Sequence, residues 1–269
     1  MCGRYASFMA RNDIQLAFDL DSLGPETEGL APSWNVAPTQ NIAIIVERLL
    51  KNEDPAPANH GASASGTLTE SVDGAFTSRA PATQVPSPRQ LLGISRELHV
   101  ARWGLVPPWA KDLAGGPPMF NARIETVAEK RTFAPSLKNR RCIIPANGYF
   151  EWQSGSGGKI PHYIHYADNS PLAFAGLYSW WKARDGSWLL SATIITKEAE
   201  GPMSRIHDRI PAILRAEDYD QWLDPHLNDP LAARAIVEIE GPELTVDIVG
   251  TNVGNTRNNT PENIVPVEH

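Results

Sequence analysis

Apolar residues in this chain gather in short, dense runs separated by Gly, Pro, Asn and Ser, a pattern of strands more than of long amphipathic helices. The run Ile42-Ala43-Ile44-Ile45-Val46 is β-branched and predicts a buried strand. Further strands are expected over 98–105, 141–152, 163–166, 172–178 and 188–196. Their close spacing favours antiparallel pairing, because parallel crossovers need more chain. Helical signals are few. Asn12 as a cap with Gln15 three residues later predicts a helix through Leu20, a short helix is expected over 126–133, and Asp229-Pro230 starts another through Ile236. Residues from about 52 to 90 are dominated by Ala, Pro, Ser, Thr and Gly with Phe76 as the one aromatic, and read as a flexible surface insertion. The expected fold is α+β: a single domain over 1–269 whose curved, mainly antiparallel, barrel-like sheet is flanked by short helices.

Composition narrows the classes of function. With 269 residues, 42% of them hydrophobic, the chain can bury a substantial core. No apolar run reaches the length of a membrane span, and the first residues lack a secretory pattern, so a cytoplasmic address without membrane contact is expected. Cys2 and Cys142 are too few for a disulfide framework. The pair His162 and His165 reads as a surface feature, and neither metal nor cofactor is expected. The net charge of -7 argues against coating nucleic acid by bulk electrostatics. Between Ala101 and Arg141, however, eight basic residues stand against three acidic ones, which suits a short stretch of polyanion. A solvated surface accounts for the same run.

Candidate chemistry begins at the second residue. Met1 before a residue as small as Cys2 is the arrangement from which the initiator is trimmed, leaving a thiol and a free amine on adjacent carbons. Their ordinary pKa values, about 8.5 and about 7.7 to 8.0, make both substantially nucleophilic near neutrality. Such an aminothiol condenses with an aldehyde to an imine and then closes a thiazolidine ring. In Asn121-Ala122-Arg123-Ile124-Glu125, extended backbone puts Asn121, Arg123 and Glu125 on one face, either as a phosphate or carbonyl clamp or as an ordinary polar strand face. In Gly148-Tyr149-Phe150-Glu151-Trp152, alternation sets Glu151 beside Tyr149 with Phe150 and Trp152 opposite. A carboxyl held among aromatic rings has a raised pKa suited to proton transfer, whereas one on an edge strand faces water. His207 in His207-Asp208-Arg209-Ile210-Pro211 is a proton carrier or a structural histidine.

Taken together with Asn35-Val36-Ala37-Pro38, Arg102 to Trp109 and the tail from Val253, these stretches resemble the SRAP family, the SOS-response-associated peptidase domain that links covalently to abasic sites in single-stranded DNA. The resemblance implies Cys2 as the nucleophile, Asn121 positioning the opened sugar, Glu151 in acid/base transfer and His207 assisting ring opening or reversal. It places Arg4, Arg123 and Arg131 near the DNA backbone, and Asn35 and Trp109 on a DNA-facing rim. It implies a monomer acting on single-stranded DNA that contains abasic sites, nucleoid-associated when bound. AP-lyase action and autocatalytic removal of Met1 are implied as further activities of one site. Two other readings remain open: an N-terminal-nucleophile cysteine peptidase, and a non-covalent single-strand-binding module built on the basic face.

Overall fold

The computed structural model describes residues 2–50, 86–113, 116 and 119–268. In chain order the first elements are β1 (Tyr5–Ser7), α1 (Arg11–Ala17), β2 (Ser22–Leu23), β3 (Ser33–Val36) and β4 (Asn41–Leu49). Then come α2 (Pro88–Leu91), β5 (Ile94–Trp103), β6 (Asn121–Arg123), α3 (Ala134–Asn139), β7 (Arg141–Ala146) and β8 (Gly148–Gly155). The remainder is β9 (Gly158–His165), β10 (Leu172–Lys182), β11 (Trp188–Glu198), β12 (Arg209–Pro211), α4 (Tyr219–Leu223), α5 (Pro230–Glu238) and β13 (Thr245–Ile248). The α+β expectation holds.

Five strands close on themselves. β4 pairs β5, β5 pairs β11, β11 pairs β10, β10 pairs β7, and β7 returns to β4 through Ile143 and Ile45. The β5–β11 joint is parallel and the others are antiparallel, so the barrel is mixed. A second, antiparallel sheet runs β13-β9-β8-β1-β3. The apolar run in β4 is continuous because both of its faces are covered. Ile42, Ile44 and Val46 pack with Cys2, Tyr5 and Tyr149, while Ala43 and Ile45 pack with Ile14, Leu137 and Trp222 from the helices.

The structure revises several boundaries. The run 141–152 is two strands, split where Asn147 takes the chain from the barrel into the second sheet. There Asn147 Oδ1 accepts from the Phe8 amide at 2.8 Å and the Asn147 amide donates to Ala6 O. Helix α1 starts at Arg11 after an Ala10 cap without a side-chain bond, so Asn12 lies inside the first turn. It stops before Leu20 because Asp19 adopts a φ of 51°, which an aspartate tolerates better than most residues. Residues 126–133 form consecutive turns, and the helix begins at Ala134 with Pro135 in its first turn, where a missing N–H costs nothing. Residues 86–90 of the expected insertion are structured, since a reciprocal Ser87–Gln90 capping box starts α2. The rest of the expected insertion, 52–85, lies outside the described residues. Asp229 caps α5 as expected, accepting from the Leu231 amide at 2.9 Å. His162 and His165 are buried in β9 and not on the surface: His162 Nδ1 meets Ile160 O at 3.0 Å, and His165 Nε2 meets Asp247 Oδ2 at 2.9 Å. Among the described residues no helix is long and apolar enough to cross a membrane.

Candidate active site

The N-terminal segment lies between the barrel and the second sheet. Tyr5 pairs with Val36 on one side and Tyr149 on the other, and its ring meets Trp103 and Phe174 edge-on at 5.2 and 5.8 Å. Cys2 is fully buried in this cluster. Burial pushes its thiol well above the ordinary range, the nearby Glu151 carboxylate adds to that, and the amino terminus and the Arg4 amide oppose it. The expectation of a thiol substantially nucleophilic near neutrality is therefore corrected: at rest the sulfur keeps its proton, and a neighbour must take that proton before the sulfur attacks.

Arg4 fastens the segment. Its Nη1 donates to Asn35 Oδ1 and to Val253 O, both at 2.8 Å, and its guanidinium lies 5.7 Å from the centre of the Trp152 ring. Asn35 is 1% exposed, and its amide nitrogen donates to Val253 O, Asn255 O and Asn258 O at 3.2, 3.0 and 2.6 Å. The structure thus places the Asn35 side chain in the interior, spent on the C-terminal tail and Arg4, and not on an open rim. Asn35→Ala should lower stability by about 2 kcal/mol through the lost ties, read as a fall in melting temperature.

Three further groups converge on Cys2. Asn121 is fixed by the parallel register of β6 with β11, and its Nδ2 donates to Cys2 O at 2.8 Å. Its Oδ1 is buried without a hydrogen-bond partner among the described residues. Glu151 is 3% exposed, and burial raises its carboxyl to about 7 against the pull of the positive amino terminus. His207 Nε2 stands 3.9 Å from Glu151 Oε2. Burial first, and the amino terminus second, hold His207 below its ordinary value, so the ring is neutral at pH 7. Its Nδ1 faces both the Arg209 amide at 3.0 Å and Asp208 Oδ1 at 2.7 Å. One ring nitrogen cannot accept from the amide and donate to the carboxylate at once. The two tautomers therefore place the proton toward Asp208 or toward Glu151, the geometry of a proton relay. The alternation expected on β8 is present: Tyr149 packs with Cys2, and Phe150 and Trp152 pack in a separate cluster.

One fastening was not legible in the sequence. Buried Arg209 forms a bidentate pair with Glu125, Nη1 to Oε1 at 2.7 Å and Nη2 to Oε2 at 3.0 Å, and Nη2 also donates to Thr196 O at 2.7 Å. The pair joins the loop carrying His207 to the segment carrying Asn121. Its only sequence signal was the spacing of Glu125 from Asn121 and of Arg209 from His207.

The basic face divides. Arg123 is exposed two residues along β6 from Asn121. Exposed Arg131 stacks 4.9 Å from the centre of the Trp109 ring, itself 43% exposed, on a loop pinned by the Trp181 Nε1 bond to Ala110 O at 2.8 Å. Arg141 leaves this face: it is buried, and its guanidinium donates to the carbonyls of Leu137, Lys138, Trp222 and Asp224. Cys2, Arg4, Asn121, Glu151 and His207 are thus brought together, while Trp109 and Arg131 form a second group. Among the described residues no cluster of three or more His, Cys, Asp or Glu side chains could hold a metal ion.

Comparison with known proteins identifies the family of the chain. A family model described as SOS response associated peptidase (SRAP) matches residues 1–256. The abasic site processing protein YoqW of Bacillus subtilis is 35% identical over 264 residues, covering 97% of this chain and 98% of its own. The abasic site processing protein HMCES of Gallus gallus is 33% identical over 199 residues, covering 64% of this chain and 58% of that protein. A crystal structure of a Bordetella bronchiseptica protein shares the fold with a TM-score of 0.66 at 22% identity, over 93% of this chain and 100% of that one. With a match over 1–256 and a relative alike along nearly its whole length, the chain belongs to the SOS response associated peptidase (SRAP) family.

Proposed function

We propose that this protein processes abasic sites in single-stranded DNA by capturing the opened sugar on Cys2 as a thiazolidine. The observation that carries this reading is the convergence of Asn121, a carboxyl titrating at about 7 and a neutral histidine on the buried second residue of the chain. The names of the relatives support the substrate class.

The chemistry starts with the closed sugar. Protonated Glu151 gives a proton to the ring oxygen, directly or through neutral His207, which takes a proton on one ring nitrogen as it releases one from the other; the bond from that oxygen to C1′ breaks, and the aldehyde forms. Once Met1 is removed, the Cys2 amine adds to C1′ and water leaves, giving an imine. The Cys2 sulfur hands its proton to Glu151 and attacks the imine carbon. A carbon–sulfur bond forms, the C=N π pair moves to nitrogen, and nitrogen takes the proton. The sum is aldehyde plus aminothiol giving thiazolidine plus one water. Asn121 holds the Cys2 carbonyl, and its unpartnered Oδ1 accepts from a sugar hydroxyl.

The imine is also the intermediate of β-elimination, so AP-lyase cleavage competes whenever ring closure is slow, and reversal runs the same steps backward. Autocatalytic loss of Met1 draws on the same acid and base. A denaturing gel tests the reading: a heat-stable covalent species should form with a single strand carrying an abasic site and not with an intact strand. A purely non-covalent binding module would treat the two strands alike, and a peptidase acting in trans would turn over peptide.

DNA contact is assigned to Arg4, Arg123 and the Trp109–Arg131 pair, where a ring stacks on a base beside a cation. Arg123→Glu and Arg131→Glu should each slow capture about tenfold at low salt, with unchanged melting temperature and a shallow salt slope reflecting few phosphate contacts. Folded variants that capture at the parent rate would remove these residues from the DNA face.

A further inference from the structure

One polar group in the buried cluster that contains Cys2 has no part in these steps. Tyr149 lies on β8 two residues before Glu151, on the same face, in the cluster that contains Cys2. It is fully buried, with its ring edge-on to Phe174 at 6.0 Å, and its hydroxyl has no hydrogen-bond partner among the described residues. A buried hydroxyl without a partner is a standing cost that phenylalanine, filling the same space, would not carry. Tyr5 shares the cluster, but Tyr149 holds the unpartnered hydroxyl.

Burial pushes the Tyr149 phenol well above its ordinary value, with negative charge at Cys2 and at Glu151 each adding, so it remains a donor at every working pH. A neutral thiol is a weak acceptor. A thiolate in the same apolar cluster is a strong one, and at ring closure, with the amine taken up in the imine and Glu151 neutralised by the thiol's proton, the negative sulfur has little besides the Arg4 amide to hold it. The acceptor that the Tyr149 hydroxyl lacks at rest among the described residues therefore comes into being during ring closure.

We propose that Tyr149 is a further catalytic residue whose hydroxyl donates a hydrogen bond to the Cys2 sulfur as the thiolate forms, speeding thiazolidine closure. The phenol shares its proton and keeps it. The thiol proton goes to Glu151, the sulfur electron pair makes the bond to carbon, and the imine nitrogen is protonated as before. Its part in closure rests on the capture reading; its effect on the thiol does not.

Tyr149→Phe in the mature chain tests it with three measurements. The melting temperature should stay equal or rise, because an unsatisfied group is removed. Alkylation of Cys2 by iodoacetamide against pH, followed on the Cys2 peptide by mass spectrometry without DNA, should shift its midpoint upward by about one unit, as loss of a charge-assisted hydrogen bond requires. Single-turnover crosslinking at neutral pH should slow about tenfold, with the gap narrowing as pH rises. An unshifted midpoint with an unchanged rate overturns the proposal. So does a lower melting temperature with an unshifted midpoint, which would give the hydroxyl a structural partner instead. If the parent itself fails to capture abasic DNA, the capture reading falls and the DNA-free titration still decides the assignment of Tyr149 to the sulfur.

Discussion

Cys2→Ala should abolish the heat-stable adduct with abasic single-stranded DNA while leaving a folded protein. The thiazolidine needs a sulfur on Cβ, two bonds from the Cα that bears the attacking amine, and no other side chain at residue 2 supplies both the sulfur and the five-membered ring. Removing one buried sulfur from the Tyr5–Tyr149 cluster should cost about 1 kcal/mol, too little to unfold the domain. The α-amine of the variant still condenses with the aldehyde, so borohydride should trap an imine and strand cleavage should rise as β-elimination goes unopposed. A retained N-terminal extension makes the complementary case, keeping the sulfur and blocking the amine, and should also give no adduct. A stable crosslink of parental yield from either protein would sink the thiazolidine mechanism.

The second large effect is expected at Glu151. Glu151→Gln keeps the size of the side chain and removes its titrating proton, so crosslinking should slow about a hundredfold, the usual loss when general acid–base catalysis is removed. The pH dependence centred near 7 should vanish with it, because burial places the carboxyl there. Stability should move the other way. A carboxyl raised from its ordinary value to about 7 binds more protons folded than unfolded between those limits, so the parent loses stability as pH climbs from about 4.5 to 7. Glutamine carries no such penalty, and Glu151→Gln should gain on the parent by up to about 3 kcal/mol over that range. A variant with parental rate and pH profile would return Glu151 to a structural role.

Much of this site was legible in the sequence because it rests on local rules. Alternation along β8 puts Tyr149 and Glu151 toward Cys2 and sends Phe150 and Trp152 to the other side. Doubly buried β4 announced itself as an unbroken β-branched run. What failed was non-local. The parallel β5–β11 joint that closes the barrel brings together residues far apart in the chain, Arg102 and Ser191, and no periodicity records it. Asn35 and Arg141 look like surface polar residues in sequence; each is buried because backbone carbonyls distant along the chain, those of the tail for Asn35 and of Trp222 and Asp224 for Arg141, satisfy its donors. The thiol was misjudged for the same reason, since the aromatic cage that suppresses its ionisation is built from four separate strands, β1, β5, β8 and β10. Helix α1 missed its expected cap because Ala10 reached the start of the helix first and Asn12 was left inside it.

The central claim, that residue 2 as the mature N-terminus forms the ring, is tested most directly by the mass of the adduct and its location. The processed protein is mixed with a single-stranded oligonucleotide bearing one abasic site, and the product is weighed intact and then digested. The account predicts a mass equal to protein plus oligonucleotide less one water, with Met1 absent and the sugar remnant bound to both the nitrogen and the sulfur of Cys2. An adduct on any other residue, or one that forms with Met1 still in place, would contradict it.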